Sequence, residues 1–122
     1  MHLLLIGAGG FAGSILRYLV SNQFSGLVFP GGTFVVNVAG CFGMGLAAGF
    51  GETRGWPSRE SQLLITTGVL GGFTTFSAFG HEALTLLRVD PLKGTIFPVI
   101  HVAVGIAAVA LGRAAAAAAL RG

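Results

Sequence analysis

Apolar residues fall along the chain in long blocks, with the charges gathered mostly between them. The blocks run from about Leu3 to Val20, Thr33 to Phe50, Gln62 to Leu87 and Gly94 to Arg113. Each comes close to the ~20 residues an α-helix needs to cross a bilayer. Lipid satisfies no backbone N–H or C=O, so a spanning segment must pair its own, as a helix does. The pattern therefore predicts an all-α membrane protein, residues 1–122 forming a single domain of four transmembrane helices. Ser21–Gly32, Gly51–Ser61 and Arg88–Lys93 read as connecting loops, and the alanine-rich run Ala114–Ala119 extends the fourth helix. Both termini then lie on one side with the second loop, and the first and third loops on the other.

The third block departs from this regularity. Its middle, Gly68 to Phe79, holds Gly68, Gly71, Gly72, Thr74, Thr75 and Ser77 among its apolar residues. Glycine costs ~1 kcal/mol in a helix interior, and Thr and Ser hydroxyls compete for backbone carbonyls. The expectation is a broken third helix at mid-membrane depth. A break frees polar backbone groups, which survive only when buried in protein or lining a watery path, and discontinuous helices carry ion sites in transporters. A Gly/Thr-rich packing face without a break is the alternative. Phe73, Phe76 and Phe79, set among the polar residues, favour an ion path.

Composition narrows the class. The chain is 53% hydrophobic and 9% charged, against roughly 25% charged in soluble domains, so it cannot cover a water-facing surface. Its formal charge of +3 comes from scattered Lys and Arg residues, which excludes the clustered basic face of a nucleic-acid binder. A single cysteine, Cys41, excludes an internal disulfide and a cysteine metal framework; a small packing residue in a helix is its simplest role. The apolar N-terminus lacks a basic leading region and reads as a first span rather than a cleaved signal. His2, His81 and His101 are scattered, and no Ser-His-Asp or paired-carboxylate arrangement points to an enzyme.

Several polar residues inside the blocks are candidates for chemistry. Gly7-Ala8-Gly9-Gly10-Phe11-Ala12 imitates a dinucleotide-binding loop, but that fingerprint needs an acid some 20 residues on, and the first acid is Glu52. Gly9 with Gly13, and Gly45 with Gly49, instead form G-x-x-x-G pairs that let helix backbones approach closely. Arg17 lies near the far end of the first span, placed to snorkel or pair. Asn37 is positioned either to hydrogen-bond a neighbouring helix or to offer its two N–H donors to an anion. Glu82, the acid within a span, is a functional candidate by default, or pairs with Arg17 or Arg88. His101 suits packing or capping better than ion ligation. Arg54, Arg59, Arg113 and Arg121 fall on the terminal side, and Arg17, Arg88 and Lys93 on the other. Orientation follows a clear excess of basic residues on one side. This near balance, and the small volume four short helices enclose, favour an antiparallel dimer.

With those residues in hand, the chain resembles the CrcB/Fluc family of small fluoride channels over nearly its whole length. The similarity rests on Gly9-Gly10-Phe11-Ala12-Gly13-Ser14-Ile15-Leu16-Arg17-Tyr18, on Gly32-Thr33-Phe34-Val35-Val36-Asn37-Val38-Ala39-Gly40, and on Gly71-Gly72-Phe73-Thr74-Thr75-Phe76-Ser77-Ala78-Phe79, with Glu82 where the family places a glutamate. The resemblance implies a dual-topology homodimer in the cell inner (plasma) membrane that passes fluoride through two pores. It implies Asn37, Phe76 and Phe79 in the pore, with Thr75 and Ser77 along its polar track. Gly71 and Thr74 would hold a structural sodium ion through their backbone carbonyls at the dimer centre. The chain departs from the family pattern at Ala78, commonly threonine, and at Phe97 and His101, where the pattern has tyrosine and serine. Those changes remove hydroxyls and open a second possibility, one half of a heterodimer with a homologous partner. A small proton-coupled multidrug or cation exporter is the rival in size and topology, but it calls for an acid in the first span, which has none. A non-conducting scaffold is the third reading.

Overall fold

The computed structural model describes residues 1–26, 30–54 and 58–122. The middles of the first two loops, 27–29 and 55–57, lie outside the described residues, as does the side chain of Arg54, counted above in the terminal-side charge. The described residues are helical nearly throughout: α1 (His2–Gln23), α2 (Gly31–Arg54), α3 (Arg59–Gln62), a π-helical stretch Leu63–Leu70, α4 (Gly71–Phe73), α5 (Phe76–Val89) and α6 (Pro91–Arg121). His2–Gln23, Gly31–Glu52, Arg59–Val89 and Pro91–Arg121 are each long and apolar enough to cross a membrane. This is a multi-pass membrane protein.

The spans outrun the ends expected from hydropathy, and capping chemistry explains two of the boundaries. Ser58 accepts a hydrogen bond from the Ser61 N–H at 3.1 Å and starts the third span three residues early. Between the third and fourth spans the expected loop Arg88–Lys93 is contracted to Asp90 alone. Asp90 accepts from the Lys93 N–H at 3.1 Å, and Pro91 occupies the first helical position, where its missing N–H costs nothing. The Lys93 N–H, then the Lys93 ammonium 3.1 Å away, hold the Asp90 carboxyl below its ordinary range. The π-helical stretch has no counterpart in the sequence reading.

Glycine sets the packing. α2 and α6 run parallel in constant register: Asn37 meets His101, Cys41 Sγ lies 3.5 Å from a Cβ built on Gly105, and a Cβ on Gly45 would strike the Val109 carbonyl. One turn further, a Cβ on Gly49 would stand 2.7 Å from the Ala116 methyl. α1 lies parallel to the first half of the third span in the same fashion, Gly9 against the Leu64 carbonyl and Gly68, Gly13 against the Val69 carbonyl and Phe73. Both expected G-x-x-x-G pairs therefore work as close backbone contacts. Leu3, Leu4, Phe11, Val99 and Ile106 face outward, as suits a surface solvated by lipid.

Candidate functional site

The site begins in the backbone of Thr74 (φ −81°, ψ 156°) and Thr75 (φ −149°, ψ 112°), both extended between α4 and α5. Thr74 still closes the preceding helix, its N–H donating to the Leu70 carbonyl at 3.0 Å and its hydroxyl to the same oxygen at 3.1 Å. Continued helix would send the Thr75 N–H to the Gly71 carbonyl. It donates instead to Asn37 Oδ1 at 2.8 Å, while Asn37 Nδ2 donates back to the Thr75 carbonyl at 3.0 Å. The side-chain amide of α2 thus pairs with the Thr75 backbone as a neighbouring strand would. Gly40, one turn beyond Asn37, makes room for it: a Cβ there would collide with the Thr74 methyl group. The Thr74 carbonyl accepts from Arg17 Nη1 at 3.3 Å, and the Thr75 hydroxyl caps α5 by accepting from the Ala78 N–H at 3.2 Å. The Thr75 N–H, the Thr75 carbonyl and the Thr74 carbonyl are thus each taken up by a side chain, as a membrane-spanning segment requires of polar backbone outside the helix ladder.

Asn37 reaches further. Its Nδ2 also lies 3.1 Å from His101 Nε2, so all three amide positions facing the protein are engaged. His101 is 6% exposed and walled by rings: Phe79 at 4.4 Å between centroids, and Phe97 and Phe34 edge-on at 5.2 and 5.3 Å. Phe79 in turn stands 5.5 Å from Phe76. His101 Nδ1 is buried and has no hydrogen-bond partner among the described residues. A buried donor left this way typically costs ~1–3 kcal/mol, so its presence asks for a reason.

Two hollows meet at Thr75. The first is an open cleft of about 370 Å³ whose walls include Asn37, Thr74, Thr75, Phe76, Phe79 and His101, with Cys41 and Met44 further along. It holds no charged side chain. The second, about 420 Å³, is lined by Ser14, Arg17, Tyr18, Ser21, Thr33, Val36, Thr75, Ser77 and Ala78. In that groove the Thr75 and Ser77 hydroxyls stand 3.3 Å apart.

The structure thus brings Asn37, Thr75, Phe76, Phe79, Thr74 and His101 to one cleft and Ser77 and Arg17 to its neighbour; Gly71 lines neither. The expected pairing of Glu82 with Arg17 or Arg88 is not found. Glu82 Oε1 accepts from the Thr33 hydroxyl at 2.6 Å, its Oε2 is buried without a partner, and Arg17 is committed to Thr74. The reason is geometric: Arg17 enters from α1 beside the Thr74 carbonyl, whereas Glu82 on α5 lies against Thr33 of α2. Sequence reasoning missed Phe34 as a wall of the site. The signal was available, since Phe34 precedes Asn37 by three residues and shares its helix face.

A small four-span membrane protein emerges, with an uncharged aromatic cleft and a basic polar groove meeting at two extended residues of its third span. The chain belongs to the family described as CrcB-like protein, Camphor Resistance (CrcB), whose model matches residues 4–113. It is 45% identical over 115 residues to the fluoride-specific ion channel FluC of Rhizobium leguminosarum bv. trifolii (strain WSM2304), covering 91% of this chain and 92% of that one. It is 45% identical over 117 residues to fluoride-specific ion channel FluC 1 of Methanosarcina acetivorans, with 93% and 89% covered. To the FluC of Chlorobium phaeobacteroides (strain BS1) it is 48% identical over 88 residues, 70% and 69% of the two chains.

Proposed function

We propose that this chain is a fluoride-selective ion channel that lets fluoride leave the cell passively across the inner (plasma) membrane. The observation that carries the reading is the cleft itself: aromatic edges, amide and hydroxyl groups, and no charge, in a chain whose relatives are named as fluoride-specific channels. A small anion shed of water needs donors and positive ring edges. Conduction needs binding weak enough for release, and a fixed cation in the path would hold the ion too long. Arg17 is instead in the adjoining groove, where it draws anions toward Thr75 and Ser77. The extended pair Thr74–Thr75 then acts as the break of the third helix, exposing hydroxyls and carbonyls between groove and cleft. A negative interior drives each departing anion with ~2.3 kcal/mol per 100 mV, so no coupled reaction is needed and the protein is not an enzyme.

The pore is completed by a second copy in antiparallel orientation. Phe76, 82% exposed on a single chain, would gain its cover there. A sodium ion at the centre of such a dimer fits the donor set: Gly71 offers a carbonyl deprived of its helical N–H, and the Thr74 carbonyl keeps one lone pair beyond the Arg17 hydrogen bond. Hard carbonyl oxygens suit that ion, whose charge would offset part of the cost of a dehydrated anion nearby.

The test is physiological. Expressed in a bacterium lacking its own fluoride exporter, the chain should restore growth in fluoride; failure of a membrane-inserted chain to do so sinks the reading. A heterodimer with a homologous partner is the second reading, favoured by Phe97 and His101 standing at hydroxyl positions, and it predicts rescue only on co-expression. Loss of a pH-driven cation flux in Glu82→Gln, with fluoride indifferent, would favour the exporter.

A further inference from the structure

We infer that Met44 is an apolar gate on the ion path, parting the cleft from a third hollow that opens beside Glu52; the inference deepens the channel reading and rests on it. The third hollow, about 420 Å³, lies between the end of α2 and the start of the third span, with Met44, Glu52, Gln62 and Thr66 in its wall. Met44 stands in the wall of the cleft as well, just as Thr75 belongs to both the cleft and the groove. The three hollows therefore form one series along α2, from Thr33 in the groove through Asn37 in the cleft to Glu52 in the third. Thr33 to Glu52 is roughly 28 Å of helix, close to the ~30 Å hydrocarbon thickness of a bilayer. A path that follows the series crosses the membrane.

Polar groups are spread unevenly along this series. The groove has Arg17 and its hydroxyls, and the cleft begins with Asn37 and Thr75. Beyond Gly40 the cleft is walled by Cys41, Met44, Ile106 and Val109, whose side chains offer only the weak donor of a thiol. A full donor returns with the Gln62 amide in the third hollow. In between, a hydrated anion meets nothing that replaces its water, and apolar constrictions gate by dewetting. Met44 holds the wall that the two hollows share. It is 40% exposed, and an unbranched side chain with three rotatable bonds swings without disturbing a core. Gly40, Ala47 and Ala48 beside it leave room for that swing. The acid at the far mouth does not repel the ion. Arg113 Nη2 donates to both Glu52 carboxylate oxygens at 2.6 Å and neutralises it.

The experiment uses the full chain in liposomes, with Cys41 as a reporter three residues before Met44 on the same helix face. The thiol is probed from outside with sulfonatoethyl methanethiosulfonate, a charged reagent that does not cross lipid. The Cys41 thiolate displaces methanesulfinate and forms a mixed disulfide, which is counted by mass against a Cys41→Ser blank. Labelling should be several-fold faster in Met44→Ala than in the wild type and several-fold slower in Met44→Phe, and fluoride efflux should follow the same order. Arg113→Gln uncovers the Glu52 charge and should lower efflux several-fold; Glu52→Gln added to it should restore the rate, which a merely structural loss would not allow. Fluoride efflux indifferent to the size of residue 44 would overturn the gate, whatever the labelling, and leave the channel standing. Unchanged efflux in Arg113→Gln would overturn the third hollow as the mouth. Labelling that follows the size of residue 44 in a chain that passes no fluoride would uphold the gate and overturn the channel reading.

Discussion

The two hollows that meet at Thr75 are built from the same helices and do opposite electrostatic work. The cleft between α2, α5 and α6 is walled by rings and fixed dipoles, and every polar side chain in it is neutral or, for Cys41, an ordinary thiol. The groove between α1, α2 and the start of α5 is lined by hydroxyls and by Arg17. An arginine in a concave, low-dielectric wall raises the local concentration of anions, and a neutral cleft lets them go. On the proposed reading, one region would gather the anion and the other release it. Asn37 and Thr75 are the hinge between those tasks, because the amide holds the extended backbone that both hollows share.

The comparison is broken most completely at Asn37. Asn37→Asp removes both N–H donors and leaves the Thr75 carbonyl and His101 Nε2 facing a carboxylate, costing ~1–3 kcal/mol for each acceptor left unpaired. Fluoride efflux should fall below detection, with a clear drop in thermal stability; unchanged efflux would remove Asn37 from the path. Next come the paired rings. Phe76→Ile and Phe79→Ile should both slow efflux severely, yet Phe79 is 8% exposed and Phe76 82%. Within one chain Phe79→Ile should therefore cost about 1–2 kcal/mol of lost packing, while any loss of stability in Phe76→Ile should come through the contact with the second copy and depend on protein concentration. Equal melting with normal efflux in both would favour a scaffold.

Arg17→Gln sharpens the other half of the comparison. It should cut efflux about tenfold at low ionic strength and less at high salt, because screening weakens steering. A salt-independent loss would assign Arg17 to holding the Thr74 carbonyl alone. The smallest effect lies outside the membrane, at Asp90. Its carboxyl is held low by the Lys93 N–H and ammonium, so its contribution is complete above about pH 4, the ordinary aspartate value. That contribution is lost as the pH falls through the lowered folded value. Asp90→Asn should flatten this acid limb in pH-dependent melting and leave efflux at neutral pH unchanged.

Much of this architecture was legible because its causes are local. Hydropathy marks the four spans, and glycines spaced by four at Gly9/Gly13 and Gly45/Gly49 mark the faces where backbones touch. The crowding of Gly71, Gly72, Thr74 and Thr75 points to the part of the third span where extended residues lie. What escaped the sequence depends on contacts between segments. The Asn37–His101 hydrogen bond joins residues 64 apart, and it exists because Gly45 and Gly49 fix the register of α2 on α6. For Glu82 the sequence offered Arg17 or Arg88, and only the placement of α5 against α2 brings it to Thr33 instead. The short turn at Asp90 escaped because a cap and a proline ended one helix and began the next without the polar spacer that a loop ordinarily shows.

The most direct test is the rate of fluoride efflux from liposomes holding the purified chain alone, compared with chloride under the same gradient. The account predicts fast efflux of fluoride and none above background for chloride. Equal passage of both anions, or retention of fluoride by folded and inserted protein, would contradict it.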